Sequence, residues 1–576
     1  MKAKIQLQKW IVAYLLLISY CSNAQTLDWA NQIGGADYDI SFDMTIDNNG
    51  NTYAVGYFTD SVDFDPGPDT LVFQTPGIAG DADAFVMKTD SLGDLVWVKI
   101  ISSINSETSN TITIDNLGYI YVSGNFEGTV NFDFGQSNFS ITAFGNNDVF
   151  ILKLDINGNF IWAKQIGGIT DESSRDIKIL GDKLYLTGTF TSTVDFDLGV
   201  GTFNLTSVAG RDAFVCKLDT GGNLIWAKQL GGAGTYQDGN ALAIDTLGNV
   251  YVTGRFNGTI DLDPGAGVFN VSTPTGNTLD MDAFICKLNT VGDFVWGMKL
   301  GSNLGDESYK IILDVLGNVY ACGVFYNTID FDPGTGVFNM TSAGGADFFM
   351  LKLDSDGNFG WAKRLGNTNN DFGIISTDAY GSLYICGAFI GTFDSDPGAS
   401  VFSLTSTGAF NSNGFISKLD AQGNFLWAIK FDGNYSNGII DMSFGTSNNI
   451  YIHGGFMGTM DCDPGTGVYN FTSNGSRDMF FMRLSQPMVG VVNQQATAAG
   501  GITVYPNPTQ GITTVALQKI QKSLTVKIYN STGQLLQTVD GSNTNTLQIT
   551  LPYKTGVYFA EVIMDDGVKM VKVMRE

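Results

Sequence analysis

The sequence predicts an all-β fold built from seven similar segments. One tryptophan marks each segment and recurs at intervals of 64 to 70 residues, and a fixed period of this length indicates a repeat architecture. Between the tryptophans, Val, Ile, Thr, Tyr and Phe alternate with polar residues in short runs, which is typical of strands. The seven positions are Trp29, Trp97, Trp162, Trp226, Trp296, Trp361 and Trp427.

Each segment divides into four strands, and residues 240–300 give the clearest example. Strands are predicted at Ala241–Ile244, Val250–Phe256 and Asp282–Leu288, with a fourth around Trp296. Short turns with Asp or Asn beside Gly join the first strand to the second and the third to the fourth, and such turns reverse a chain between antiparallel strands. Seven copies of this unit predict a seven-bladed β-propeller of four-stranded blades.

The two ends of the repeat predict how the ring closes. The last segment has a third strand at Met479–Leu484 but no tryptophan phrase after it, whereas an unmatched phrase containing Trp29 lies at the N-terminus. We therefore expect the N-terminal strand to complete the last blade, because ring closure removes exposed sheet edges. The propeller is assigned to residues 25–485.

The flanking segments predict export and a second domain. In residues 1–24 three lysines precede an apolar run and small residues follow it, which is the pattern of a signal peptide. No other stretch is long and apolar enough to predict a transmembrane segment. Residues 486–501 are predicted to form a linker, and the short alternating strands of residues 502–576 predict a small C-terminal β-sandwich.

Two sets of phrases resemble known families. The repeated Asp-Phe-Asp-Pro-Gly and Gly-Asn-x-x-Trp-Ala-Lys phrases resemble the bacterial seven-bladed β-propeller repeat of exported proteins, over residues 27–484. The C-terminal segment has Tyr-Pro-Asn-Pro at 505–508, Gly-Val-Tyr at 556–558 and a basic end, and it resembles the C-terminal sorting domain of the type IX secretion system. This resemblance implies passage across both membranes, with the tail usually removed, and then release or attachment to the cell surface.

Charge and cysteine content exclude several function classes. The net charge of −26 disfavours binding to nucleic acid and to anionic membranes. Five cysteines remain after the signal peptide, so they cannot all be paired, and their repeat positions suit strand packing. The single histidine, His453, occupies a column with Val55, Ser123, Thr187, Thr253, Cys322 and Cys386, so we expect it to fill a strand position.

Paired aspartates before Pro-Gly are the candidate metal ligands. Carboxylates at positions i and i+2 of a loop suit Ca²⁺, which takes six to eight oxygen ligands. The alternative is that these side chains cap backbone amides and build the turn. Their presence in nearly every segment favours this alternative. The residues are Asp63, Asp65, Asp195, Asp197, Asp261, Asp263, Asp330, Asp332, Asp394, Asp396, Asp461 and Asp463, with Asn131 and Asp133 in the second segment.

Acidic residues also follow each fourth strand, and the topology of a propeller places them on the same face as the Asp-x-Asp loops. We expect a broad negative face there, and we expect it to be the working face. Glu107, Glu172 and Glu307 are assigned to one loop column of that face. The full set is Asp37, Asp39, Glu107, Asp171, Glu172, Asp238, Asp306, Glu307 and Asp371.

Two columns near the end of the second strand vary from segment to segment, and variable side chains on a rigid scaffold are where specificity is written. The alternative is that these surface positions vary because little constrains them. One column reads Tyr57, Asn125, Thr189, Arg255, Val324, Ala388 and Gly455, and the other reads Thr59, Glu127, Thr191, Asn257, Tyr326, Ile390 and Met457.

These observations predict an exported, non-catalytic propeller that is secreted or attached to the outer cell surface. It would bind a glycan, a matrix polymer or a surface protein, as an adhesin or scaffold. The alternatives are a structural surface component and a secreted carboxylate-dependent glycoside hydrolase or lyase. A unique buried pair of carboxylates would favour the enzyme, and exposed loop aromatics would favour glycan binding.

Overall fold

The computed structural model describes most of the chain after the predicted signal peptide. Residues 1–24 and most of the predicted linker lie outside the described residues, as do residues 506–508 of the Tyr-Pro-Asn-Pro phrase. The described ranges are 25–77, 80–135, 139–275, 280–408, 411–445, 448–486, 502–505, 511–530, 535–551, 556–564 and 567–575. Within these ranges the regular structure consists of strands alone, and no helix is long and apolar enough to cross a membrane.

One compact unit spans Ala24–Ser485, and its described residues form seven antiparallel sheets with the same four principal strands. In every sheet the strands lie side by side in the order first, second, third and fourth. The first strands are Asp39–Ile46, Glu107–Ile114, Ser173–Leu180, Gln237–Ile244, Glu307–Leu313, Phe372–Thr377 and Asn437–Phe444. The second strands are Thr52–Thr59, Ile120–Phe126, Lys183–Asp195, Val250–Phe256, Val319–Phe325, Leu383–Phe389 and Ile450–Phe456.

The third and fourth strands complete these sheets. The third strands are Ala82–Thr89, Asp148–Leu154, Asn204–Asp219, Asp282–Leu288, Asp347–Leu353, Asn413–Leu419 and Asp478–Ser485. The fourth strands are Leu95–Ile101, Phe160–Ile166, Leu224–Gly232, Phe294–Leu300, Phe359–Leu365, Phe425–Phe431 and, in the seventh sheet, the N-terminal strand Thr26–Gly35. The N-terminal strand pairs antiparallel with Asp478–Ser485, from Thr26 opposite Ser485 to Ile33 opposite Met479.

The long connection between the second and third strands folds into a short hairpin, which the sequence analysis treated as a loop. In the third sheet the hairpin is a continuation of the two principal strands. Elsewhere its strands are Ser61–Asp63 with Val72–Gln74, Thr129–Asn131 with Ser140–Thr142, Thr259–Asp261 with Asn270–Ser272, Thr328–Asp330 with Asn339–Thr341, Thr392–Asp394 with Ser403–Thr405, and Thr459–Asp461 with Asn470–Thr472. The hairpin reaches the preceding sheet, as where Gly231 pairs with Asp261 and Gly34 with Asp63.

The hydrophobic core lies between successive sheets. The first strand of each sheet lies beside that of the next, and the first strand of the seventh lies beside that of the first. Tyr451 and Phe481 of the seventh sheet pack in one buried cluster with Phe58 and Phe85 of the first. Alternating strand residues thus bury apolar side chains against both neighbours. The five cysteines at positions 216, 286, 322, 386 and 462 are buried free thiols within this packing.

In four of the described sheets the tryptophan of the recurring phrase donates a hydrogen bond to a turn of the next sheet. Trp29 Nε1 donates a hydrogen bond to the carbonyl oxygen of Ser91, 3.2 Å away, and Trp97 makes the same contact with Ile156. The turn residue Gly93 has a φ of +92°, and a Cβ there would lie 2.9 Å from Trp29 Cδ2. Glycine therefore serves both the left-handed backbone and the close approach of the ring.

The C-terminal unit is a single antiparallel sheet in the described residues. Its strands are Ile502–Tyr505, Ile512–Asn530, Leu535–Thr550, Gly556–Met564 and Gly567–Arg575. The long strand Ile512–Asn530 pairs with three others, and its two halves share one core that includes Val504, Val515, Val526 and Val562. The separate sheets of the predicted sandwich are not seen among these strands, because the long strands run through both halves.

Candidate functional site

The paired aspartates lie in the hairpin loops, where they accept backbone hydrogen bonds. Asp63 Oδ1 accepts from the backbone nitrogens of Asp65, at 3.1 Å, and Leu71, at 2.8 Å. Asp65 Oδ1 accepts from the nitrogen of Gly67 at 2.8 Å. The same bonds recur at Asp195 and Asp197, Asp261 and Asp263, Asp330 and Asp332, Asp394 and Asp396, and Asp461 and Asp463.

In the second segment a neutral residue makes the hydrogen bond that an aspartate makes elsewhere. There Asn131 Oδ1 accepts from the nitrogen of Asp133, at 3.0 Å, just as the aspartates do. A neutral amide oxygen therefore suffices for this bond. Among the described residues, no three His, Cys, Asp or Glu side chains are grouped so that they could hold a metal ion. Calcium binding by these loops stays a prediction, and the geometry gives each carboxylate a structural task.

The predicted negative face is wrong for the acids that follow the fourth strands, because most of them are buried. Asp39, Glu107 and Glu172 are at most 1% exposed. Asp39 Oδ2 accepts from the nitrogen of Gly35 at 2.7 Å, and Glu107 and Glu172 make the equivalent bond to the residue four positions before them. Asp238, Asp306 and Asp371 are buried as well. These carboxylates stabilise the connections between sheets.

Burial also reduces the charge that these acids carry. It raises the pKa of Asp39 and of Glu107 to about 8, although backbone and side-chain hydrogen bonds act in the opposite direction. The pKa values of Glu172 and Asp371 are raised to about 7 for the same reason. At neutral pH such groups are protonated in part, so they add little to an exposed negative field.

His453 is buried, in agreement with the expectation of a strand filler. Its Nδ1 lies 2.9 Å from Ser41 Oγ, and its ring stacks on Phe481 at 6.2 Å between centroids. Burial lowers its pKa to about 4. The histidine is thus neutral at ordinary pH, and it links the seventh sheet to the first.

A column of bulged residues is the feature that sequence reasoning missed. In six first strands the pairing with the second strand slips by one residue, and the extra residue is left between two paired ones. A β-bulge re-aims a side chain, and bulges are common beside functional sites. The bulged residues are Phe42, Asn110, Arg175, Asn240, Tyr309 and Ile440.

The bulged residues contact the variable residues at the end of the second strand. The rings of Phe42 and Tyr57 lie 5.5 Å apart, and Asn110 Nδ2 donates to Asn125 Oδ1 at 2.7 Å. Tyr309 and Ala388 line one cavity of about 300 Å³. The two columns therefore form one face, here called the variable surface. The six bulged residues are its partly or fully exposed layer, and Tyr57, Asn125, Thr189, Arg255, Val324, Ala388 and Gly455 lie beside or beneath them, with Asn125, Thr189, Val324 and Gly455 buried.

Charged groups of consecutive sheets meet on the variable surface. Arg255 Nε lies 2.8 Å from Asp238 Oδ2, and Arg255 Nη1 lies 2.9 Å from Glu307 Oε2. Arg211 forms a second ion pair with Asp238, with 2.6 Å between Nε and Oδ1. The Arg175 side chain is accessible to solvent but lies among these groups. Desolvation by the surrounding protein and the nearby Arg211 and Arg255 lower its pKa, whereas Asp238 and Glu307 act in the opposite direction.

Strand register corrects the assignment of Glu307. Glu107 lies opposite Phe126, whereas Glu307 lies opposite Val324, one position further along. Asp238, which lies opposite Arg255, belongs to the same column as Glu307. The sequence held a signal for this cluster, since three of the chain's seven arginines, Arg175, Arg211 and Arg255, fall in two consecutive segments.

Comparisons with known proteins agree with this architecture. Residues 225–260 match the family described as a beta-propeller repeat, and residues 503–576 match the family described as a secretion system C-terminal sorting domain. The "Uncharacterized WD repeat-containing protein L264" of Acanthamoeba polyphaga mimivirus is 22% identical over 512 residues, a match that covers 74% of this chain. The chain spans only 36% of the length of that relative.

The chain thus carries a β-propeller repeat and a type IX secretion C-terminal sorting domain, and the latter implies export to the cell surface or beyond.

Proposed function

We propose that residues 25–485 form a closed seven-bladed β-propeller and that it is a non-catalytic binding protein, an adhesin or scaffold, attached to the cell surface or released. Residues 502–576 would engage the type IX secretion machinery. The ligand would be a glycan, a matrix polymer or a surface protein. Nucleic acid is disfavoured as a ligand because the chain has a net charge of −26.

Contacts between the two ends of the repeat support the closed ring. Besides the pairing of Thr26–Gly35 with Asp478–Ser485, Arg483 Nη1 donates to the carbonyl oxygen of Ser91 in the first sheet at 2.9 Å. Lys310 of the fifth sheet forms an ion pair with Asp441 of the seventh. This ion pair skips the sixth sheet, as expected when first strands surround a common axis.

The single observation that carries the binding role is the variable surface. Elsewhere the same residue types recur because they perform the same structural task in each sheet. On the variable surface the bulged position holds Phe, Asn, Arg, Tyr and Ile in different sheets, and bulges present these side chains on a rigid framework. Such variation suits recognition of a ligand that lacks the symmetry of the ring.

The exported full chain, labelled and applied to a glycan array and to matrix from the producing cells, tests this role. We expect binding that Phe42→Ala weakens at least about fivefold, because loss of a partly exposed aromatic contact is worth roughly 1 kcal/mol. Tyr380→Ala is the matched control, since Tyr380 is an exposed aromatic residue in a tight turn between a first and a second strand. Equal effects of the two changes would contradict the proposal.

One observation favours a secreted hydrolase or lyase as a second candidate. Asp238 and Glu307 are the only acids of their column, and both contact Arg255. Both carboxylates are ion-paired, however, which suits anchoring of arginines better than proton transfer. Incubation of the exported chain with polysaccharides distinguishes the candidates: new reducing ends or unsaturated products, lost in Glu307→Gln, would favour the enzyme.

A further inference from the structure

We propose that the variable surface binds an acidic saccharide, with Arg175 and Arg477 each taking one of its anionic groups. This inference rests on the proposed binding role and names the ligand class for that same surface. It is carried by two arginines whose guanidinium groups form no ion pair among the described residues, by the aromatic cavity beside one of them, and by the capped edges of the first strands.

Arg175 is the surplus cation of a cluster in which the other charges are already matched. Asp238 is shared by Arg211 and Arg255, and Glu307 is bound by Arg255 and by Asn240, whose Nδ2 lies 3.0 Å from Glu307 Oε1. In the described part of the chain, Arg175 makes no hydrogen bond or ion pair. A guanidinium presents a planar fork of donors that fits a carboxylate or a sulfate.

Arg477 is a second cation in the same situation, on the opposite side of the repeat. It is half-buried and borders the cavity of about 300 Å³ together with Tyr309, Phe372 and Ile440. Its guanidinium likewise has no acidic partner among the described residues, and burial lowers its pKa. Burial of an unpaired charge is costly, and an anionic ligand would remove that cost.

Gly455 faces Arg477 and, because it has no side chain, leaves space for the guanidinium. A Cβ at Gly455 would lie 2.2 Å from Arg477 Nε. Gly455 belongs to the variable column in which other sheets place larger residues such as Tyr57 and Arg255. The smallest residue of that column therefore stands where the guanidinium needs space, which holds Arg477 against the variable surface.

Aromatic rings beside Arg477 favour a sugar over other anions. Tyr309 borders the cavity with Arg477. Phe372 is 50% exposed in the same cavity. Apolar and aromatic walls with a few placed polar groups are typical of small-ligand sites, and the volume lies at the lower end of their range.

An acidic peptide is disfavoured because strand addition is obstructed on this side. The backbone nitrogen of Ile112 donates to Asp43 Oδ2 at 2.9 Å, and that of Leu242 donates to Asp176 Oδ2 at 3.0 Å. Side chains of the preceding sheet thus occupy the first-strand edges that a peptide would pair with.

The test measures binding of the exported full chain to four defined probes by calorimetry: oligogalacturonate, a sulfated oligosaccharide, a neutral oligosaccharide of the same length, and polyglutamate. We expect binding to one or both acidic saccharides, and the two arms distinguish carboxylate from sulfate as the anionic group. Each of Arg175→Gln and Arg477→Gln should weaken that binding about tenfold, as expected for loss of a charge-assisted hydrogen bond.

Two further variants serve as controls for the arginine substitutions. Lys183→Gln removes a partly exposed cation that pairs with Asp182 near a tight turn, and it should change affinity less than about twofold, because charges at the protein surface are strongly screened. Arg175→Lys keeps the charge but loses the planar fork, so it should bind with intermediate affinity, and it replaces Arg175→Gln if that variant fails to fold.

Each remaining outcome overturns a defined part of the inference. Equal binding of neutral and acidic saccharides, unaffected by the arginine changes, would refute this proposal and leave the binding role intact. Polyglutamate binding as tight as saccharide binding would replace the sugar with an acidic peptide. No binding to these probes, to an array or to cell matrix would refute the binding role as well.

Discussion

The tight turns and the variable surface stand at opposite ends of the same first strands, and they use polar residues differently. In the turns one arrangement recurs. Asp47 Oδ1 accepts hydrogen bonds from the backbone nitrogens of Asn49 and Asn51, and Asp115 Oδ1 accepts them from the backbone nitrogens of Leu117 and Tyr119. On the variable surface, neighbouring sheets place Asn110, Arg175 and Asn240 at one position. The comparison teaches that the turns repeat one way of satisfying the backbone, whereas the bulged position does not: Asn110 and Asn240 donate to the carbonyl oxygens of Ser174 and Ser308 in neighbouring sheets, and Arg175 has no such bond among the described residues.

The largest expected effect tests whether the repeated buried acids govern stability. Because the folded pKa of Asp39 and of Glu107 is raised to about 8, the native state binds more protons than the unfolded state between pH 4 and 8. Their contribution is complete below pH 4 and is lost as pH rises through 8. We expect the urea midpoint of the exported chain to fall steadily between pH 6 and 9.

Asp39→Asn should flatten this pH profile, while Asp182→Asn, which changes an exposed acid, should leave it unaltered. His453 acts in the opposite sense and over a lower range: its folded pKa of about 4 means that its contribution is lost as pH falls from 6.5 to 4. A midpoint that rises between pH 6 and 9 would contradict the assigned role of the buried acids.

The next effect concerns the repeated tryptophan. Trp29→Ala removes the hydrogen bond to Ser91 and the edge contact with the Tyr451 ring, 6.3 Å between centroids. We expect a loss of about 3 kcal/mol in the free energy of unfolding, at the lower end for tryptophan truncation because Trp29 is partly exposed. Chemical denaturation measures it. Phe42→Ala on the variable surface should lower the free energy of unfolding by less than about 1 kcal/mol. A larger loss in Phe42→Ala than in Trp29→Ala would contradict the distinction between repeated structural residues and the variable surface.

A smaller effect separates hydrogen bonding from charge in the Asp-x-Asp loops. Asp261→Ala removes the acceptor of the Asp263 and Phe269 nitrogens, and we expect a cost of about 1 to 2 kcal/mol. Asp261→Asn keeps an acceptor, as Asn131 does in the second segment, and should cost less than about 0.5 kcal/mol. Equal costs in urea denaturation would mean that the negative charge itself matters.

The smallest expected effect is the response to calcium. If the loops bind it, calcium at about five times its dissociation constant should stabilise the chain by about 1 kcal/mol per site, through binding to the folded state alone. Thermal melts with calcium and with chelator measure this shift. Asp261→Asn, which retains the turn, should reduce it. An unchanged melting temperature in the wild-type chain would leave these aspartates with their structural task only.

Local patterns predicted the strands well where the alternation of side chains is unbroken. The strands Val250–Phe256 and Asp282–Leu288 have the predicted bounds. The first strand begins at Gln237 instead of Ala241, because the bulge at Asn240 interrupts the two-residue period on which the prediction relied. Glu307 was placed one column away from its true neighbours because its Asp-Glu-Ser phrase copies that of Glu172, although the bulge follows Glu307 after two residues and Glu172 after three.

The sequence by itself determined the repeat, the strand order, the tight turns and the sorting domain, because these depend on local periodicity and on short phrases. Only the tertiary structure decided which acids are buried and which side chains share a surface. Asp238 and Glu307 lie 69 positions apart and have the same kind of local sequence as exposed acids. The burial of Asp238, the partial burial of Glu307 and the pairing of both with Arg255 depend on neighbouring sheets, and contacts between sheets leave no periodic signal in a single chain.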